Sequence, residues 1–271
     1  MNNSMSRRSL LAVAGSVGTA ALMRDLPAWA QAAAAGSPAA PPQICLSNYY
    51  LAGEGAKFDR LQYRDKHVAL LRSLFGDTLE RIEMRSTAPI KRTDSRRAVS
   101  QNEAEPPILA VESFWIKNLP AYVAAAQKAG DKVAAGMAGI TNSKVAVQWE
   151  QLIAAQGEPR ESVEQGTTCL VTLYPYTAEG KWDAKYFTET YLPLMSSVYG
   201  QRVVRRVEVC KGVSMQGGGN PAFVSAVTMY IKEQKDFVAS GMQSGMVLMK
   251  EAPKFTNINP IVGSYDVYAV G

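Results

Sequence analysis

Residues 58–76, FDRLQYRDKHVALLRSLFG, return in altered form at residues 182–200 as WDAKYFTETYLPLMSSVYG. An aromatic-Asp pair opens each stretch and a Gly closes it, and His67 in the first falls on Tyr191 in the second, at one offset of 124 residues. Cys45 and Cys169, in the apolar runs just upstream, keep that offset. Farther on it becomes 115, because the first copy holds a longer loop: Trp115 meets Tyr230, Tyr122 meets Phe237, and Thr141-Asn142 meets Thr256-Asn257. Self-similarity over such a period means one supersecondary unit used twice.

Each copy reads the same way. A short apolar strand leads through a Gly/Lys turn to a helix whose first residue is preceded by Asp59 or Asp183, where a carboxylate caps free amides. The apolar spacing Leu61, Val68, Leu71, Leu74 is helical, as is Tyr186, Leu194, Val198. Strands follow at 79–85 and 203–210, then at 108–115 and 222–231. Ala-rich or Met-bearing amphipathic helices are expected over 119–135 and 233–249, and final strands over 144–152 and 260–268. The Gly217-Gly218-Gly219 run lies between two strands and reads as a hairpin loop, not a phosphate cradle. The order is strand, helix, strand, strand, helix, strand, twice: two ferredoxin-like βαββαβ repeats, over 44–155 and 167–271, joined by the Pro/Gly/Glu-rich stretch 157–166. One such sheet carries helices on only one face. The second copy is the nearest cover for the other, so the α+β chain is expected to pair its halves sheet to sheet as a barrel-like pseudo-dimer.

The first 30 residues read as an export address of the twin-arginine type, with an ordinary Sec signal or an N-terminal anchor as the alternative. Ser6-Arg7-Arg8-Ser9-Leu10-Leu11 is a twin-arginine pattern, a weakly apolar Ala/Val/Gly/Leu run follows, and Ala28-Trp29-Ala30 precedes the expected cut. Periplasmic location follows from that reading, with 31–43 a flexible lead-in. No later stretch reaches the roughly 18 apolar residues of a bilayer span. The net charge of +5 in 271 residues is mild and does not indicate a nucleic-acid groove. With three cysteines and one histidine, a His- or Cys-rich metal cluster is excluded although a carboxylate site is not, and no metal is expected. Cys45, Cys169 and Cys210 all sit in strand-like runs and read as inert buried thiols, with one intrachain disulfide at most as the alternative.

LYPYTAEGKWDAKYFTETYLPLMSSVYG, RRVEVCKG, AVTMYIKEQKDFVAS and KFTNINPIVGSYDVY together resemble the EthD-like family of the dimeric α+β barrel superfamily, and the first copy resembles it less closely. The resemblance implies a small-molecule cleft between sheet and helices and a link to the degradation or tailoring of small organic compounds. It carries the family's aromatic-Asp, Tyr and His positions onto Phe58, Asp59, Tyr63 and His67. In the second copy they fall on Trp182, Asp183, Tyr186 and Tyr191, so only the first keeps the imidazole.

His67 is the one side chain here whose ordinary pKa lies near neutrality, which suits proton transfer on a small substrate. Its alternative is a satisfied core residue. Glu112 interrupts an apolar strand where the second copy has Val227: pointing beneath the helices it could orient His67 or act as a second acid or base, and pointing away it is a solvated or inter-sheet charge. Tyr63, Asn48 and Tyr49 could hydrogen-bond a substrate oxygen, as could Tyr186 and Tyr191 in the second cleft, or they fill the amphipathic core. Arg64 and Lys66 read as the solvated face of the helix, and Met242, Met246 and Met249 as core. No dinucleotide, flavin, nucleophile-elbow or metal-ligand motif is present, so no cofactor is expected. The reading that results is a cofactor-independent enzyme acting on a small aromatic or carbonyl compound by lyase, isomerase, dehydratase or EthD-type oxidoreductase chemistry. A non-catalytic binder and a haem protein with His67 as axial ligand stand as alternatives. A homo-oligomer of pseudo-dimers is compatible with all three.

Overall fold

The structure, a computed structural model, describes residues 43–87 and 107–271; the expected leader, lead-in and most of the polar loop at 86–107 lie outside the described residues. The first half contains β1 (Ile44–Leu51), α1 (60–75), β2 (Leu79–Thr87), β3 (Ile108–Ile116), α2 (Leu119–Ala129), α3 (Lys132–Met137) and β4 (Val145–Gly157). The second contains β5 (Thr168–Pro175), α4 (184–199), β6 (Val204–Met215), β7 (Phe223–Ile231), α5 (Gln234–Glu251) and β8 (Ile261–Val270). The single helix expected over 119–135 is two, because Gly130 takes φ 55° and ends α2 with a conformation that L side chains rarely adopt. Its counterpart α5 runs unbroken for 18 residues.

The duplication reaches individual hydrogen bonds. Asp59 Oδ1 accepts from Gln62 N at 3.0 Å and Asp183 Oδ1 from Tyr186 N at 2.9 Å, so both aspartates cap as read. Asn142 Oδ1 accepts from Lys57 N and Asn257 Oδ1 from Lys181 N, each at 2.7 Å, which pins both closing loops to the approach of the capped helix. Both helices then widen into one π turn, Tyr63–His67 and Phe187–Tyr191.

All eight strands form one closed antiparallel barrel in the order β1-β3-β2-β8-β5-β7-β6-β4, with β4 returning to β1. Within each half the sheet has the expected split arrangement. The halves do more than cover each other's faces: β2 pairs with β8 and β4 with β6, so no strand edge of the barrel is left open. Side chains alternate along each strand between the lumen and the outer layer beneath the helices. Tyr49, Trp115, Val171, Phe223 and Tyr265 fill the lumen, whereas Leu46, Phe114 and Trp149 pack outward against Leu71, Phe75 and Tyr122 of the helices. The three cysteines are free and buried, and burial pushes the Cys45 thiol up to about 12, as inert thiols require.

The lumen also holds charge that sequence reasoning missed. An Arg-X-Glu step occurs in β2 and again in β6: Arg81 Nε donates to Glu83 at 3.0 Å, and Arg206 Nε to Glu208 at 2.7 Å. Tyr230 OH donates to Glu83 at 2.7 Å. The linker adds Arg160, 5% exposed, whose Nε reaches Glu208 at 2.6 Å while its guanidinium lies 3.5 Å above the Trp115 ring. Burial alone would raise the Glu208 pKa; Arg160 and Arg206 overcome it and hold the carboxyl below its ordinary value. Arg160 therefore staples the two halves through the stretch that joins them. Arg160→Met keeps the stem but removes the charge, and Glu208 retains Arg206, so the expected loss is about 1–3 kcal/mol. Urea unfolding should show a lower midpoint at unchanged slope.

Candidate active site

Two elements aim side chains into the layer between the first sheet and its helices. In the sheet, β1 and β3 pair with Asn48 opposite Glu112, and Tyr50 shares their face because it is two residues from Asn48. In α1 the π turn closes with the Val68 N–H on the Tyr63 carbonyl, and it leaves Tyr63 and His67 buried on the side facing the sheet. Glu112, 1% exposed, is where the two sets meet. Its Oε2 accepts from Asn48 Nδ2 at 2.7 Å and from Tyr50 OH at 2.8 Å, and its Oε1 accepts from Tyr63 OH. Of the two orientations open from sequence, the carboxylate thus takes the one beneath the helices. Burial, then the charge of Glu112, lifts the Tyr50 and Tyr63 pKa values well above those of ordinary phenols, so both stay protonated donors.

His67 completes the cluster from the far side of Tyr63, its ring centroid 5.3 Å from that phenol. The imidazole is 2% exposed, and Nδ1 has no hydrogen-bond partner. Burial lowers its pKa; the Glu112 charge, and more weakly the nearby Gly136 backbone, pull the other way. The resting ring is therefore neutral at neutral pH, beside a carboxylate that favours its protonation. Tyr50, half-buried Phe58, Tyr63 and His67 form a continuous row with centroid spacings of 4.8, 5.6 and 5.3 Å. Met84, Ala110, Met137 and Ile140 wall it off.

Close packing by α3 holds His67 in place. A Cβ on Gly136 would lie 2.3 Å from Leu70 Cδ2 and 2.9 Å from His67 Nδ1. Gly136→Ala is accordingly expected to cost about 1–3 kcal/mol through overpacking, measured by denaturant unfolding. Packed this closely, the ring has almost no exposed surface, so a ligand of any kind, haem included, reaches it only when the residues around it move aside.

Other expected site residues lie elsewhere. Tyr49 points the opposite way from its neighbours, into the lumen, where its OH donates to Glu150; Ser47 Oγ at 2.8 Å and Gln148 Nε2 at 2.6 Å serve the same carboxylate. It cannot act together with Glu112. Tyr186 is not the counterpart of Tyr63, because the residue that opens the second π turn is Phe187; Tyr186 stands one position earlier and donates to Glu251. Tyr191 does replace His67, and it packs among Phe187 and Phe255 at 5.1 and 4.7 Å. Thr172, Phe187, Tyr191 and Val227 thus stand where the first half has Asn48, Tyr63, His67 and Glu112, and of the cluster only Tyr50 is matched, by Tyr174. Tyr50 was missed from sequence, although the period-two pattern fixed by Asn48 would have placed it. Arg64 pairs with Asp65 on the exposed face, as read.

No family model matches the sequence, and no curated protein matches it. Solved structures do. A crystal structure of an anthrone oxidase-like protein aligns with 85% of this chain and 93% of its own at a TM-score of 0.50 and 10% identity. The fold is a dimeric α+β barrel. Here the barrel closes within a single chain. An EthD-like protein from Ralstonia eutropha JMP134 aligns with 37% of this chain and 91% of its own, at 24% identity and a TM-score of 0.35. A putative monooxygenase from Fusobacterium nucleatum subsp. nucleatum aligns with 84% of this chain and 93% of its own, at 9% identity and a TM-score of 0.49.

Proposed function

We propose that the protein is an EthD-like enzyme, exported by the twin-arginine route to the periplasm. In this reading it acts without a cofactor on a small aromatic compound bearing a carbonyl or hydroxyl group. The observation that carries the reading is the one-sided cluster. The second half packs the same layer with Thr172, Phe187, Tyr191 and Val227, so the fold itself does not call for a carboxylate there. Burying one costs several kcal/mol unless it is well paired, and its presence in only one of two equivalent places points to chemistry rather than folding.

In the mechanism that follows, neutral His67 takes a proton from the substrate and Glu112 offsets the charge of the imidazolium as it forms. Tyr50 and Tyr63 keep the carboxylate in place, and the ring row Tyr50-Phe58-Tyr63-His67 suits a flat aromatic partner. The reaction type is then proton transfer, as in an isomerisation, dehydration or elimination, or an oxidation in which the deprotonated substrate gives its electrons to molecular oxygen. One observation favours a second reading, a non-catalytic binder: all three donors on Glu112 are already in place, so the cluster is complete without substrate.

The test is a panel of aromatic ketones, phenols and hydroquinones incubated with the purified protein and followed by mass spectrometry. Conversion of a panel member supports the enzyme, and compounds that bind but are recovered unchanged support the binder. Compounds that neither bind nor change would remove the aromatic-ligand reading altogether.

A further inference from the structure

Along α5, Ala239, Met242, Met246 and Met249 succeed one another at steps of three, four and three residues, the spacing of a helix-to-helix seam. They are not core, contrary to the expectation from sequence: the three methionines are 70%, 60% and 69% exposed. The protein-facing side of α5 is the opposite one, where Phe237 stacks on Tyr199 with centroids 4.7 Å apart and Leu248 is buried. The first half again serves as an internal control. At the 115-residue offset stand Ala124 and Gln127 in α2, then Asp131 and Ala134 beyond the break at Gly130, so the first half carries no continuous apolar stripe there. An apolar stripe carried by only one of the two halves is not a demand of the fold, and such stripes mark contact surfaces.

We propose that this face joins two copies of the chain, α5 against α5 in antiparallel fashion about a two-fold axis. The charges beside the seam select that arrangement. Asp236, Gln243 and Lys250, all exposed, recur every seven residues along one flank. An antiparallel two-fold pairing sets Asp236 against Lys250 of the second copy at both ends and Gln243 against itself in the middle. A parallel pairing would set Asp236 against Ile231 and Lys250 against Gly245, and neither charge would gain a partner. Within the seam, Met242 meets Met246 of the second copy and Ala239 meets Met249, side chains whose flexibility lets them interdigitate. The contact is isologous and closes at two chains.

Sedimentation velocity on the purified protein at micromolar concentration should give twice the mass of the chain. Met246→Lys should give the mass of one chain with unchanged circular dichroism and thermal midpoint, because this side chain is exposed in the single chain. Asp236→Lys alone should weaken the dimer by about tenfold through loss of an ion pair and gain of a repulsion at each end. Adding Lys250→Asp to it should restore the dimer. A single-chain mass for the unaltered protein, or a Met246→Lys dimer of undiminished affinity, overturns the proposal; failure of the double exchange to restore pairing overturns the antiparallel arrangement.

Discussion

His67→Gln is expected to lower turnover of the substrate by about 10²–10⁴-fold, the range that a positioned general base supplies, while leaving the barrel folded. The glutamine preserves much of the side chain's volume and polarity but cannot exchange a proton near neutrality. Tyr191→Phe, the change at the equivalent place in the second half, should leave turnover unaltered, and it controls for disturbance of a π turn in general. The pH dependence has a definite sign. Because burial holds the folded-state pKa of His67 below the ordinary 6.5, the basic form persists at neutral pH, and kcat/KM should fall only as pH drops through that lowered value. Stability follows the same group: its contribution is complete above pH 6.5 and is lost as pH falls from there toward the folded-state pKa, since the unfolded chain takes up the proton first. In His67→Gln that acid-side loss should be absent, so unfolding free energy measured between neutral pH and pH 5 should be flatter than in the unaltered protein. Unchanged turnover in His67→Gln, with the flatter stability curve still observed, would leave His67 a buried titrating residue without a role in chemistry.

What the sequence made legible was whatever depends on local pattern. The paired offsets, the caps at Asp59 and Asp183 and the loops at Asn142 and Asn257 all survive in the structure because each is set by residues close in sequence or by a periodicity that two copies repeat. What stayed hidden depends on closure. Whether β2 reaches β8 and β4 reaches β6 is decided by register across the two halves, and only that pairing brings Arg160, Trp115 and Glu208 together. Strand parity explains the error at Tyr49. Asn48 and Tyr49 look like one polar patch in a string of letters, yet successive strand residues face opposite sides, so one serves Glu112 and the other Glu150. The methionines of α5 were misread for a related reason: helical spacing shows that they share a face, but not which way that face turns.

Glu112→Val is expected to destabilise the protein by about 3–5 kcal/mol, because it strands two buried donors, Tyr50 OH and Tyr63 OH, together with the part-buried Asn48 Nδ2. Valine is nevertheless the residue that the second half carries at this place, where it belongs to one buried cluster with Phe187, Met229 and Phe255. The cost therefore belongs to the partners left behind and not to the position. Changing those partners together should remove most of it: Asn48→Thr, Tyr63→Phe and Glu112→Val in one chain reproduce the set Thr172, Phe187 and Val227, with Tyr50 kept as Tyr174 is. Unfolding of this triple variant should return to within about 1–2 kcal/mol of the unaltered protein, well short of the sum of the single changes, as expected for residues in one hydrogen-bonded network. The same variant should be inactive, since it loses the charge that balances an imidazolium at His67. A stable, inactive triple variant would separate what the first half needs in order to fold from what it needs in order to act. If Glu112→Val alone unfolds at the same denaturant concentration as the unaltered protein, the carboxylate does not hold the cluster together, and the division of labour between the two halves must be assigned to other residues.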